Sequence, residues 1–189
     1  DSLLVSFIPM PLIQEGFANK HSDKIKEWGK IKSGFTHFVE GDIAIAKITP
    51  CFENRKSVIF SNLKNGYGAG TTELHILRAI KILPEYILWI VKNEDFISRG
   101  VQAFTGAVGQ QRICKEYILN YLIPIPSVSE QHRINKKINE MFNFILSIET
   151  NKIALNETIR KAKSKILDLA IRGKLVPQDP NDEPASVLL

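Results

Sequence analysis

Gln110, Gln111 and Arg112 end a polar segment, Phe104 to Arg112, that also holds Thr105, Gly106 and Gly109. A glutamine amide pairs with an adenine edge and an arginine fork with a guanine edge, and glycines let backbone approach closely. Lys47, Arg55, Lys56 and Lys64 lie in or beside two other polar stretches, Thr49 to Lys56 and Gly66 to Thr72. Their charge suits phosphate neutralisation, although such side chains are more often a solvated face. Thr49, Tyr67, Thr71 and Thr72 complete the candidate contact set.

Other chemistry is poorly supported by the residue types. Asp42 and Lys47 flank a strand signal without a second carboxylate at metal spacing, so a surface-turn carboxylate is the simpler expectation. His21, His37, His75 and His132 have no neighbour that marks a base or a ligand. Gly66-Tyr-Gly-Ala-Gly70 precedes strand-like residues rather than a helix, so it is not a phosphate cradle. Cys51 and Cys114 are far apart and lack metal-ligand spacing, which suits two reduced thiols and a cytoplasmic setting. No nucleophile elbow, zinc-protease motif or S-adenosylmethionine fingerprint occurs, so no catalytic residue is expected.

The elements that must carry these residues form two kinds of pattern. Asp42 to Thr49 alternates Ile43, Ile45 and Lys47 with Ala44, Ala46 and Ile48, and Ser57 to Phe60 and Glu73 to Arg78 also suit strands. Asn62 to Thr72, with three glycines, is expected to be a loop. Pro84 opens an expected helix to Ser98, and Tyr121 to Pro126 suits an extended edge strand because its prolines lack donors. The first part is therefore α+β.

From Glu130 to Arg172 there is no proline or glycine, and apolar residues recur at steps of four and three. Ile138, Met141, Ile145, Ile148, Leu155, Ile159, Ile166 and Leu169 form a coiled-coil seam, with Lys152 its single polar core position. Ser127 and Glu130 suit a capping box and Gly173 a stop. One helix of this length spans about 65 Å, so a partner helix is required to cover the seam. A break near Asn151 into a hairpin is the alternative, and the lack of a glycine or proline there disfavours it.

The composition sets bounds on the whole. The 189 residues, 44% of them hydrophobic, suffice for one substantial core, and the longest apolar runs are far shorter than the ~20 residues that cross a bilayer. A net charge of +5 permits contact with a polyanion without proving it. Residues 130–172 hold nine basic and five acidic side chains, and the segment after them is acidic. Expected divisions are a globular domain at 1–128, a long helix at 129–173 and a proline-rich acidic tail at 174–189. Because it begins at Asp1 rather than Met, the sequence is expected to come from a longer or processed product.

Three stretches resemble one repeat of the DNA specificity subunit of type I restriction-modification systems. They are Phe104 to Arg112 continuing through Tyr121-Leu-Ile-Pro-Ile-Pro-Ser-Val-Ser-Glu-Gln-His-Arg-Ile134, the closing segment Ile166 to Leu189, and Val39 to Thr49. The resemblance implies a fold in which a globular target recognition domain of mixed strands and short helices precedes one long coiled-coil-forming helix. It also implies that the chain reads one half of a bipartite site on double-stranded DNA and scaffolds methyltransferase (modification) and restriction subunits. S-adenosylmethionine, ATP and Mg would belong to those subunits, with no cofactor on this chain. The long helix would pair with a second recognition repeat or a second copy. The alternative from another class is a protein-interaction adaptor that acts through its coiled-coil helix without sequence-specific DNA reading; no membrane partner is expected.

Overall fold

In the computed structural model, which describes residues 1–107, 109–177, 179–183 and 185–187, the Ile–Ala alternation at 43–46 is a strand buried on both sides. The strands are β1 (Leu4–Ile8), β2 (Lys24–Glu27), β3 (Thr36–Val39), β4 (Ile43–Ala46), β5 (Ser57–Ile59), β6 (Tyr67–Gly70) and β7 (Leu74–Leu77). The helices are α1 (Pro84–Val91), α2 (Glu94–Gln102), α3 (Lys115–Asn120) and α4 (Val128–Ile171). One sheet has the order β2-β1-β6-β3 and the other β5-β4-β7. Among the described strand pairs, β1–β6 alone is parallel. The α+β reading and the long terminal helix hold. The expected acidic tail includes Gln178, Pro184, Leu188 and Leu189, which lie outside the described residues.

β4 divides two cores. Ala44 and Ala46 join Ile8, Phe38, Val58 and Phe60 between the sheets, while Ile43 and Ile45 join Leu88, Val91, Phe96 and Ile113 under the helices. Each large apolar side chain so buried contributes roughly 1.5–3 kcal/mol against leaving it in water. A third cluster of Val5, Ile31 and Ala69 covers the outer face of the four-stranded sheet.

The glycine-rich stretch expected as a loop contains β6, which lies between β1 and β3. Its glycines are required by contact: a Cβ on Gly68 would stand 2.2 Å from Phe38 Cε2, and one on Gly70 would stand 2.3 Å from the Ile8 carbonyl oxygen. The Phe38 ring stacks on Phe60 of the other sheet with centroids 3.6 Å apart, so these two hydrogens make room for the ring that joins the sheets.

Three other expectations need correction. The helix from Pro84 is two helices, because extended Asn93 takes the N-cap position and its side chain accepts from the Asp95 amide at 2.8 Å, restarting the helix before acidic Glu94 and Asp95. Tyr121 to Pro126 is not a strand: Tyr121 has extended backbone, but the segment joins no sheet. Side chains fasten it: the Tyr86 hydroxyl donates to the Pro124 carbonyl at 2.9 Å and Gln131 Nε2 to that of Pro126 at 2.9 Å. Asp42 is not a surface carboxylate, since it is 1% exposed and takes Arg78 Nε at 2.7 Å, Arg78 Nη2 at 2.8 Å and the Val39 amide at 2.9 Å. Burial pushes its carboxyl upward, but these donors hold it below the usual carboxylate range.

α4 is one uninterrupted helix of 44 residues. The Glu130 amide donates to Ser127 Oγ at 3.3 Å at its start. At its end Gly173 (φ 61°) donates to the Ala170 carbonyl and Lys174 to that of Leu169, the paired bonds of a Schellman stop. The chain divides into compact units at Asp1–Lys136 and Lys137–Leu189. The first turns of α4 fall within the former because buried Gln131 accepts from the Leu83 amide at 2.8 Å as well as holding Pro126.

Replacing Gly68 by Ala is expected to cost about 1–3 kcal/mol by forcing Phe38 out of its slot, whereas an ordinary exposed strand glycine would gain from the change. Urea unfolding of the two chains checks this, and equal stability would remove the packing explanation for β6.

Candidate nucleic-acid interface

Thr105 and Arg112 face each other across a short hairpin, each amide donating to the other's carbonyl at 3.1 and 2.9 Å. Gly106 (φ 109°) and Gly109 (φ 83°) supply backbone angles that suit glycine, and the Gln110 amide donates to the Ala107 carbonyl at 2.9 Å. The hairpin is fastened to the chain beyond β4: the Thr49 amide donates to Gln111 at 3.0 Å and the Ile113 amide to Lys47 at 2.8 Å. The Lys47 amide in turn donates to the Glu73 carbonyl at 3.0 Å, and the Glu73 amide to Thr71 Oγ1 at 3.1 Å. Lys47, Thr49, Thr71, Thr105, Gln110, Gln111 and Arg112 are thus brought together at one end of the three-stranded sheet, with exposed Thr72 beside Glu73.

Arg112 does not stand alone there. Its Nε and Nη2 donate to the two carboxylate oxygens of Glu73 at 2.8 and 3.0 Å, and its Nη1 donates to the Gln110 carbonyl at 2.9 Å. These bonds hold the Glu73 carboxyl below its ordinary range and raise the Arg112 guanidinium. Thr49 Oγ1 donates to Glu53 Oε2 at 2.5 Å, and His75 Nε2 lies 3.0 Å from the Ile113 carbonyl oxygen. Glu73 was not singled out from the sequence, where its bond to Arg112 spans 39 positions and no local pattern signals it.

The remaining candidates are placed elsewhere. Arg55 donates from Nε to the Lys92 carbonyl at 3.0 Å, pairs with Glu94 and lies over the Phe17 ring. Half-buried Lys56 accepts at its carbonyl from Ala46 at 3.0 Å. Exposed Lys64 and Tyr67 lie at the other sheet, where the amide of Lys64, in the turn ahead of β6, donates to Ser6 Oγ and Tyr67 pairs with Val39. Cys51 and Cys114 are free, half-buried thiols. Among the described residues no cluster of three His, Cys, Asp or Glu side chains is placed to hold a metal ion, and no helix is long and apolar enough to cross a membrane.

A domain with a donor-lined hairpin at one sheet end and a 44-residue helix carrying exposed apolar side chains matches a family model. That model is the type I restriction modification DNA specificity domain, and it covers residues 6–157. The chain belongs to this family. It is 40% identical over 232 residues to the type I restriction enzyme EcoEI specificity subunit of Escherichia coli, and likewise to the EcoAI specificity subunit of the same organism. All of this chain is covered in each case, but only 39% of each relative, so the chain spans about two fifths of their length. The HsdS subunit from Thermoanaerobacter tengcongensis shares its fold, with a TM-score of 0.69 and 18% identity over 97% of this chain and 46% of that one. A structure describing complex assembly and conformational transition of the type I R-M system matches at TM-score 0.66 and 18% identity, with the same coverage.

Lys92 is a positioning residue that this specificity domain's sequence did not announce. It is fully buried, and its Nζ donates to the Gly16 and Arg55 carbonyls at 2.7 and 3.0 Å, tying the Arg55 turn to the helices. Burial first, and the neighbouring Arg55 charge second, pull its ammonium down to about 8. The unfolded ammonium titrates near ~10.4, so the native state binds fewer protons between those values and stability rises with pH across that window. A neutral amine still has two N–H donors for the two carbonyls. Urea unfolding is therefore expected to show stability rising from pH 8 to 10, by at most about 1.4 kcal/mol per pH unit, and Lys92→Met is expected to abolish that rise.

Proposed function

We propose that the chain is a sequence-specific DNA recognition module that reads one half of a bipartite target in a type I restriction-modification complex. The observation that carries this is the convergence of Lys47, Thr49, Thr105, Gln110 and Gln111 from separate chain segments onto one hairpin-bearing sheet end, in a chain of the DNA specificity family. Phosphate contacts by Lys47 would set register, with Lys56 adding to them only if the DNA also reaches its separate site, and amide and guanidinium groups on the hairpin would read base edges. Lys64, Tyr67 and Arg55 extend the contact set only if the DNA also reaches their separate sites. The chain performs no reaction itself: methyl transfer with S-adenosylmethionine, and cleavage with ATP and Mg, fall to modification and restriction subunits.

The helix supplies assembly. Met141, Ile145, Ile148, Leu155, Ile159 and Ile166 are 44–59% exposed in the single chain, a seam that pairs with a second recognition repeat or a second copy. Lys152 is exposed within it and sets register at some cost in stability.

Capture of a randomised duplex pool by the chain, with and without a modification subunit, tests the reading. A short half-site is expected to be enriched, with affinity falling steeply in salt at a log–log slope of about −0.9 per neutralised phosphate. Absence of enrichment under both conditions, with salt-insensitive association of the helix, would leave the adaptor function in its place.

Ile159→Asp puts a charge in the middle of the seam and is expected to weaken pairing by at least about tenfold, or ~1.4 kcal/mol. Sedimentation checks this for a pair of copies, and the thermal midpoint of the full subunit checks it for a pair within one polypeptide. No change in either would count against the seam.

A further inference from the structure

We propose that Glu73 is a positioning residue for base recognition, holding Arg112 in a fixed orientation for a guanine edge; this rests on the DNA-reading function above. A free arginine side chain is long and rotamer-rich, and most of its orientations miss a base edge. Here three of its five N–H donors are occupied: Nε and Nη2 on the Glu73 carboxylate, and Nη1 on the Gln110 carbonyl. Two donors remain, one on each terminal nitrogen, which is the number that the O6 and N7 acceptors of guanine take.

The carboxylate is itself fixed from both sides of its own residue. The Glu73 amide is bonded to Thr71 Oγ1 and its carbonyl to the Lys47 amide, and β7 begins at the next residue. Arg112 is fixed in the same way, its amide and carbonyl both paired with Thr105. The bidentate bond therefore joins two anchored backbones, which is a geometry suited to holding a guanidinium plane still. Glu73 also lies within electrostatic reach of Lys47, so its charge offsets the repulsion between two cations that face the same nucleic acid.

The test uses the full chain and the half-site that wild type enriches from a random duplex pool, together with its single-position variants and a scrambled duplex. Glu73→Ala is expected to lower discrimination at one base pair by about tenfold while leaving scrambled-duplex affinity equal or higher, since a negative charge has been removed. Arg112→Ala is expected to lose discrimination at the same base pair, and the double variant to be no worse than Arg112→Ala alone. Glu73→Gln retains an acceptor and the side-chain shape, so it is expected to restore part of the discrimination without altering the fold. The proposal is overturned if Glu73→Ala tightens binding to all duplexes with the preference pattern intact, which would make Glu73 a mask over Arg112. It is also overturned if Glu73→Ala and Arg112→Ala affect different base pairs. If wild type itself enriches no half-site, the DNA-reading function fails first, and this role falls with it.

Discussion

β4 has no face that meets water, and most of the recognition domain follows from that constraint. A strand buried on both sides needs a layer on each, so small Ala44 and Ala46 meet the four-stranded sheet while Ile43 and Ile45 meet α1 and α2. Its flanking strands β5 and β7 satisfy its hydrogen bonds on both edges. The chain can leave this arrangement only at the strand ends. At one end buried Asp42 is neutralised by Arg78, and at the other Lys47 to Thr49 run on to hold the hairpin. A polar site thus begins where the most apolar strand stops.

That continuity explains why an outlying loop can hold a fixed position. The hairpin at 105–112 has its own pairing, but its position comes from two bonds to Lys47 and Thr49, on a segment whose first residues are immobilised by the core. Lys92 does the same for the Arg55 turn by placing a buried ammonium against two carbonyls. In both places an outlying segment is held by bonds to residues anchored in the core or directly beside it.

Much of this was legible from residue order. The spacing of Ile134 through Leu169, with Ser127 before it and Gly173 after, marks α4 because helix periodicity and end signals are local. β4, β5 and β7 were likewise visible in alternating apolar residues. β6 was hidden because Gly68 and Gly70 look like turn residues, and only the ring of Phe38, from another strand, makes glycine necessary there. The break after α1 depends on Asn93 acting as a cap within the polar stretch Lys92 to Asp95, which a continuous helix could equally carry on its solvent face, and α3 is only six residues long. For the site, residue types pointed to the hairpin, but the partners of Arg112 and Arg55 come from positions 37 to 39 residues away and leave no pattern in sequence.

The slot between Phe38, Gly68 and Gly70 also restricts how this domain changes over generations. Any side chain at Gly68 collides with the ring, and removing the ring leaves an empty space against Phe60. Neither position therefore drifts freely by itself. A smaller residue at 38 and a methyl at 68 make up each other's volume, so descendants of this sequence pass from one solution to the other through paired substitutions. The hairpin at 105–112 carries no such volume constraint, since it is fastened to Lys47 and Thr49 through backbone amides and carbonyls, and its coupling to the rest of the domain through side chains rests on the Arg112–Glu73 pair.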